Sequence, residues 1–129
     1  TFYGCRAVVR GMMAGRWGRI VNIASLSALL APAGQANYAA AKAGVVAMGA
    51  ALAKEVGRSG ITVNAVCPGY IDTAALDDMP AEARKGMVKQ IPVRRLGRPE
   101  EVASAVFFLA GEDCGYITGT QLRIDGGIG

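Results

Sequence analysis

The sequence predicts an α/β chain: a doubly wound parallel sheet with helices on both faces. Short β-branched runs alternate with segments of helical length, a pattern that implies βαβ crossovers. The strand-like runs are bounded by glycine, serine or proline, as buried strands are. The composition is 52% hydrophobic and 19% charged, rich in glycine and poor in aromatics, which suits a closely packed folded chain.

In order, residues from about Phe2 to Met13 place Phe2, Val8, Val9, Met12 and Met13 near helical spacing, with Gly15 as breaker. The chain is therefore expected to open inside a helix, with no cap before it. GRIVNIAS carries Ile20, Val21 and Ile23 between Gly18 and Ser25 and reads as a buried strand. The loop LSALLAPAGQ leads to an alanine-rich helix from about Asn37 to Arg58. Its small residues, Gly44 and Gly49 among them, are expected to let a neighbour approach closely. ITVNAVCPG is the second strand, closed by Pro68-Gly69. From Ile71 to Arg95 the polarity is mixed and Pro80 and Pro92 punctuate it, so a lid or binding loop with short helical pieces at most is expected. Pro99-Glu100-Glu101 then opens a helix, Val102, Val106 and Leu109 form its apolar stripe, and Gly111 ends it. TQLRIDGG is the last strand.

The bulk numbers narrow the chemistry. At 129 residues the chain holds one core but is short for an enzyme that binds a dinucleotide. No apolar run reaches the roughly 18 residues of a membrane span, so no membrane partner is expected and a cytoplasmic location is the default. Cys5, Cys67 and Cys114 lie far apart and read as reduced thiols. Histidine is absent, which removes His-dependent nucleophilic machinery and the usual zinc sites, so no metal is expected. The net charge of +4 comes from dispersed basic residues without interleaved aromatics, so no nucleic-acid partner is expected.

Tyr38 and Lys42 stand four apart at the start of the long helix, so both project from one face. Free phenols and amines both titrate near about pH 10, so neither alone is a good catalyst at neutrality. An ammonium beside a phenol favours the phenolate and makes the phenol's proton easier to give to a carbonyl oxygen. Alone, this spacing is a weak signal, and a helix-surface pair is the bland alternative. Ser25 lies thirteen residues earlier at the C-terminal end of a predicted strand, where parallel sheets bind ligands. A turn-forming serine is an even alternative, and Ser27 competes for the role. Pro68-Gly69 leaves Ile71 and Thr73 at the same sheet edge, although PG read without context is simply a turn.

Taken together, NIAS, YAAAK, ITVNAVCPGYIDT, RLGRPEEVA and YITGTQLRIDGG resemble the short-chain dehydrogenase/reductase family from end to end, and within it the 3-oxoacyl-(acyl carrier protein) reductases. The resemblance implies the C-terminal half of a Rossmann-type fold, residues 1–129 forming a single partial domain without the N-terminal dinucleotide-binding half. It implies Tyr38 as catalytic acid, Lys42 as the lysine that holds the nicotinamide ribose and assists Tyr38, and Ser25 as the residue that orients the substrate carbonyl. It implies Ile71 and Thr73 as cofactor-binding residues at the carboxamide, with Pro68 and Gly69 shaping that wall. The cofactor is then NADPH or NADH, with NADP favoured by resemblance alone, and the substrate a small-molecule or carrier-protein-bound ketone. A homo-oligomer, tetramer or dimer, is expected of the intact enzyme. The family's glycine-rich TGxxxGxG turn does not occur in these residues, so the isolated chain is expected to be inactive. A sugar or polyol dehydrogenase and a non-catalytic interaction module are the alternatives. Arg16, Arg19 and Arg58 are candidates for a basic face toward an acidic carrier protein, with a solvated surface as the slightly favoured alternative.

Overall fold

The computed structural model describes residues 1–129. Three parallel strands form one sheet in the order β1 (Gly18–Ile23), β2 (Ile61–Pro68), β3 (Gln121–Ile124). The register sets Gly18 opposite Ile61 and Ile23 opposite Val66, then Ala65 opposite Gln121 and Pro68 opposite Ile124. β2 is the central strand, and its Ile61–Cys67 run is buried throughout, the polar Thr62 and Asn64 included.

Helix α1 (Phe2–Gly15) and the long helix α3 (Ala36–Val56) pack on one face of the sheet. There Cys5, Ile20, Ala53, Val56, Ile61 and Val63 form the main core, flanked by Val9, Met12, Met48 and Leu52. A second cluster, Ala24, Ala65 and Cys67 under Val45 and Val46, lies toward the strand ends that carry the site. Helix α5 (Pro99–Ala110) packs against β1 and β2 and buries Leu109. Arg19 holds the C-terminal end of α5 to the sheet by donating to the carbonyls of Gly111 and Glu112 at 3.1 and 3.2 Å, and to those of Gly18 and Gly60 at 2.9 and 3.2 Å. Its neighbour Ile20 points into the α1–α3 core, so Arg19 and α5 lie on the opposite face of β1.

Alternation of strands and helices, and helices on both faces, are as the sequence predicts. No helix is long and apolar enough to cross a membrane. Two expectations need correction. The loop after β1 contains a short helix, α2 (Ser27–Leu30), closed by Ala31 in the left-handed region. The stretch from Ile71 to Arg95 is not merely loop with short helical pieces: after a single turn at Ala74–Leu76 it forms α4 (Ala81–Gln90), ten residues long. Pro80 at its N-cap, Glu82 in the first turn and Lys89 in the last suit both helix ends, and Glu82 pairs with Lys85 at 2.8 Å. Helical propensity and end charges formed this helix where the low apolar content of AEARKGMVKQ hid it.

The glycines of α3 divide. A Cβ at Gly49 would make ordinary contacts with Asn22 and Val63 across the sheet, as a close approach requires. Gly44 faces open space within this chain, so the packing explanation does not extend to it.

Candidate active site

The site lies outside the C-terminal ends of β1 and β2. Two hydrogen bonds prolong the ladder beyond β1, from Ala24 N–H to Val66 O at 2.8 Å and from Leu26 N–H to Pro68 O at 2.9 Å. They fix Ser25 and Pro68-Gly69 side by side. A cleft of about 770 Å³ opens above them, bounded by the α3 N-terminus and by the segment leading into α4.

Ser25, Tyr38, Pro68, Gly69, Ile71 and Thr73 all line this one cleft, although they come from three separate stretches of sequence. Lys42 is the exception among the sequence-predicted residues: it sits behind Tyr38. Its ammonium donates to Ile23 O at 3.0 Å and lies 5.7 Å from the centroid of the Tyr38 ring. The contact with the last carbonyl of β1 holds Lys42 upright between strand and helix, and two of its three donor hydrogens remain for other partners. Tyr38 is 45% exposed, so its hydroxyl is accessible from the cleft.

Ser25 is ordered by its neighbours. Its Oγ accepts the Ser27 backbone N–H at 3.2 Å, which leaves the Ser25 hydroxyl proton for donation. Ser27 does not share that position: its own hydroxyl donates to Gln35 Oε1 at 2.8 Å. Below them Cys67 is fully buried. Burial pushes its thiol above the ordinary range, and the Ser25 backbone amide partly offsets this.

The wall opposite Tyr38 depends on a close approach. At Gly69 a Cβ would fall 2.9 Å from Asp125 Cα, so only glycine lets this turn lie against the chain after β3. Gly69 N–H donates to Ile124 O at 3.0 Å and completes the contact. Further along, Asp72 N–H donates to Gly97 O and Gly97 N–H to Tyr70 O, at 2.8 and 2.9 Å. This bridge pins Ile71 beside the segment before α5. The Arg84 guanidinium reaches Asp72 Oδ1 at 2.6 Å and ties α4 to the same wall. Behind it the Arg95 guanidinium hydrogen-bonds Glu101, and this bond, with the Arg98 backbone N–H, holds the Glu101 carboxyl down at about 2.

A nicotinamide nucleoside would fit this donor set: Lys42 has ammonium hydrogens left over for vicinal hydroxyls, and Thr73, on the cleft lining with Ile71, has a hydroxyl for a carboxamide. Gln35 and Arg84 were not singled out by the sequence, since each acts through a partner eight or twelve positions away. Of the basic candidates, Arg19 is engaged by four carbonyls and is no free contributor to a basic face.

Comparison with known proteins finds similar chains over nearly all of these residues. A family model described as Enoyl-(Acyl carrier protein) reductase matches residues 1–129. The chain is 50% identical over 123 residues to the 3-oxoacyl-[acyl-carrier-protein] reductase FabG of Pseudomonas aeruginosa, covering 95% of this chain and 50% of that protein. It is 48% identical over 128 residues to the protein of the same name from Haemophilus influenzae, covering 99% and 53%. It is 47% identical over 112 residues to Nodulation protein G of Azospirillum brasilense, covering 87% and 46%. The chain thus spans about half the length of the curated relatives it matches.

Proposed function

The chain belongs to the short-chain dehydrogenase/reductase family, and on that premise we propose that it carries the catalytic residues of an NAD(P)H-dependent ketone reductase acting on 3-oxoacyl groups bound to acyl carrier protein. The observation that carries the reading is that Ser25 and Tyr38 line one cleft, with the Lys42 ammonium 5.7 Å from the centroid of the Tyr38 ring. Two hydroxyl donors suit a carbonyl oxygen that gains negative charge and then a proton.

When bound, the reduced nicotinamide supplies the hydride. Ser25 donates a hydrogen bond to the ketone oxygen and orients it, because its lone pair toward Ser27 N–H is already engaged. Tyr38 gives its phenolic proton to the same oxygen. Lys42 stabilises the phenolate that remains and holds the ribose hydroxyls. Ile71 and Thr73 hold the carboxamide, and the Pro68-Gly69 turn shapes the wall behind it. Leu30, Leu76 and Ile128 give the cleft an apolar side that suits an acyl chain. NADPH is the proposed cofactor, from the resemblance to the 3-oxoacyl reductases. We assign the protein to the cytoplasm, as a homo-oligomer, on the same resemblance. These 129 residues contain no TGxxxGxG turn, so the pyrophosphate part of the site is not among the residues this chain supplies.

The test is NADPH and NADH oxidation by the full-length protein that carries this chain, with a 3-oxoacyl thioester and a 2-enoyl thioester as rival substrates. Reduction of the 3-oxoacyl thioester is expected, with Lys42→Ala weakening cofactor binding. Reduction of the enoyl thioester alone would overturn the ketone reading.

A further inference from the structure

We propose that Glu101 is a positioning residue for the cofactor: by binding Arg95 and the Arg98 N–H it sets the turn whose Gly97 pins Ile71 in the cleft wall. The proposal rests on the reading above that Ile71 holds the nicotinamide carboxamide, and it names a residue that reading does not use.

Glu101 does more than cap a helix. In the first turn of α5 its Oε2 accepts the Arg98 N–H at 2.8 Å, the reciprocal bond of a capping box. Capping needs nothing further. Yet its two oxygens also take both terminal nitrogens of Arg95, Nη2 at 2.6 Å and Nη1 at 2.8 Å, a charge-assisted pair of the strong, two-pronged kind. Arg95 Nη1 donates as well to Leu96 O at 3.0 Å. The carboxylate therefore closes the turn from Arg95 to Arg98 at both ends, and Gly97 lies inside it.

Gly97 carries this order to the cleft. Its N–H donates to Tyr70 O at 2.9 Å and its carbonyl accepts the Asp72 N–H at 2.8 Å, which makes a parallel bridge to Ile71. In such a bridge the flanking residues supply the bonds, so the N–H and carbonyl of Ile71 itself face away from Gly97. Neither has a partner within the chain. One free donor and one free acceptor on a residue of the cleft lining match a primary carboxamide, which has both. No other backbone hydrogen bond reaches Tyr70, Ile71 or Asp72, so Gly97 sets where that pair points. Packing behind the wall is incomplete, since a cavity of about 160 Å³ borders Tyr70, Gly97 and Glu101. The bonds of Glu101 supply the alignment that side-chain packing leaves open.

The experiment measures dissociation constants by calorimetry in the full-length protein, for NADP+ and for its 3-acetylpyridine analogue, which has a methyl where the carboxamide has its NH2. The NAD+ pair is run in parallel, and the comparison uses the pair whose natural member the wild type binds more tightly. Glu101→Gln is the decisive variant: its amide oxygen still accepts the Arg98 N–H, so α5 stays capped, but it cannot take both Arg95 nitrogens. Arg95→Lys keeps the charge and loses the fork. Each variant is expected to weaken binding of the natural cofactor about five- to tenfold, the scale of one hydrogen bond, and binding of the analogue about twofold or less. A natural-cofactor constant within about twofold of wild type in both variants overturns the proposal. So does an equal loss with both nucleotides, which marks a general structural role. Wild-type protein that binds the two nucleotides equally overturns the carboxamide reading itself, and the proposal with it.

Discussion

Replacing Gly69 by alanine tests how the proposed cofactor wall is built. The added Cβ would lie 2.9 Å from Asp125 Cα and 3.0 Å from Asp125 Cβ, both well inside the roughly 3.5–4.0 Å that two carbons prefer. The turn must then move away from Asp125 by about half an ångström or more. Asp125 cannot easily yield, since its Oδ1 accepts the Gly127 N–H at 2.9 Å and its carboxylate faces Arg123. Retreat of Gly69 instead stretches the 3.0 Å bond from its N–H to Ile124 O. Overpacking of this kind costs about 1–3 kcal/mol, and a weakened hydrogen bond adds about 1 kcal/mol at most. Gly69→Ala is therefore expected to lose about 2 kcal/mol, read as a lower urea midpoint at unchanged m value in the full-length protein. Because the same turn leads into Ile71 and Thr73, cofactor KM should rise in parallel. A variant within about 0.5 kcal/mol of wild type and with unchanged cofactor KM would refute the argument.

Other outcomes follow from single residues. Leu109 is 1% exposed where α5 meets the sheet, so Leu109→Ala should cost about 2–5 kcal/mol in chemical denaturation. A loss below about 1 kcal/mol would mean that α5 packs less tightly than described. The Glu101 carboxyl is held at about 2, chiefly by the Arg95 guanidinium and then by the Arg98 N–H, and so lies below its unfolded value. The stability it contributes is present above the ordinary carboxylate range and is lost as pH falls toward about 2. The difference in urea midpoint between wild type and Glu101→Gln should shrink over that window, and a constant difference would exclude the linkage. Cys67 is fully buried, and burial raises its thiol, so it should resist maleimides until the protein unfolds. Fast labelling of Cys67 under native conditions would contradict its burial.

The strands and the three principal helices were legible from local signals: β2 is a largely β-branched and apolar run closed by Pro68-Gly69, and α5 carries a proline start and a glycine end. The α4 helix was not, because its ten residues bury none of their own side chains completely and carry no apolar stripe. Tyr38 and Lys42 stood out as candidates through their spacing of four together with the family resemblance, whereas the setting of Lys42 on Ile23 O is a tertiary fact with no local signature. The same holds for Ser27 and Gln35, whose hydrogen bond crosses a loop and a helix start. Arg19 shows the opposite failure. Its charge suggests a surface for partners, while its guanidinium binds carbonyls brought together only by folding.

The most direct test of the account is the rate of Tyr38→Phe in the full-length protein with NADPH and a 3-oxoacyl thioester. Phenylalanine keeps the ring beside Lys42 and removes only the proton donor, so kcat/KM should fall by about 10²–10⁴ with cofactor binding retained. A variant that keeps more than about a tenth of wild-type kcat/KM would contradict the assignment of Tyr38 as the acid that protonates the ketone.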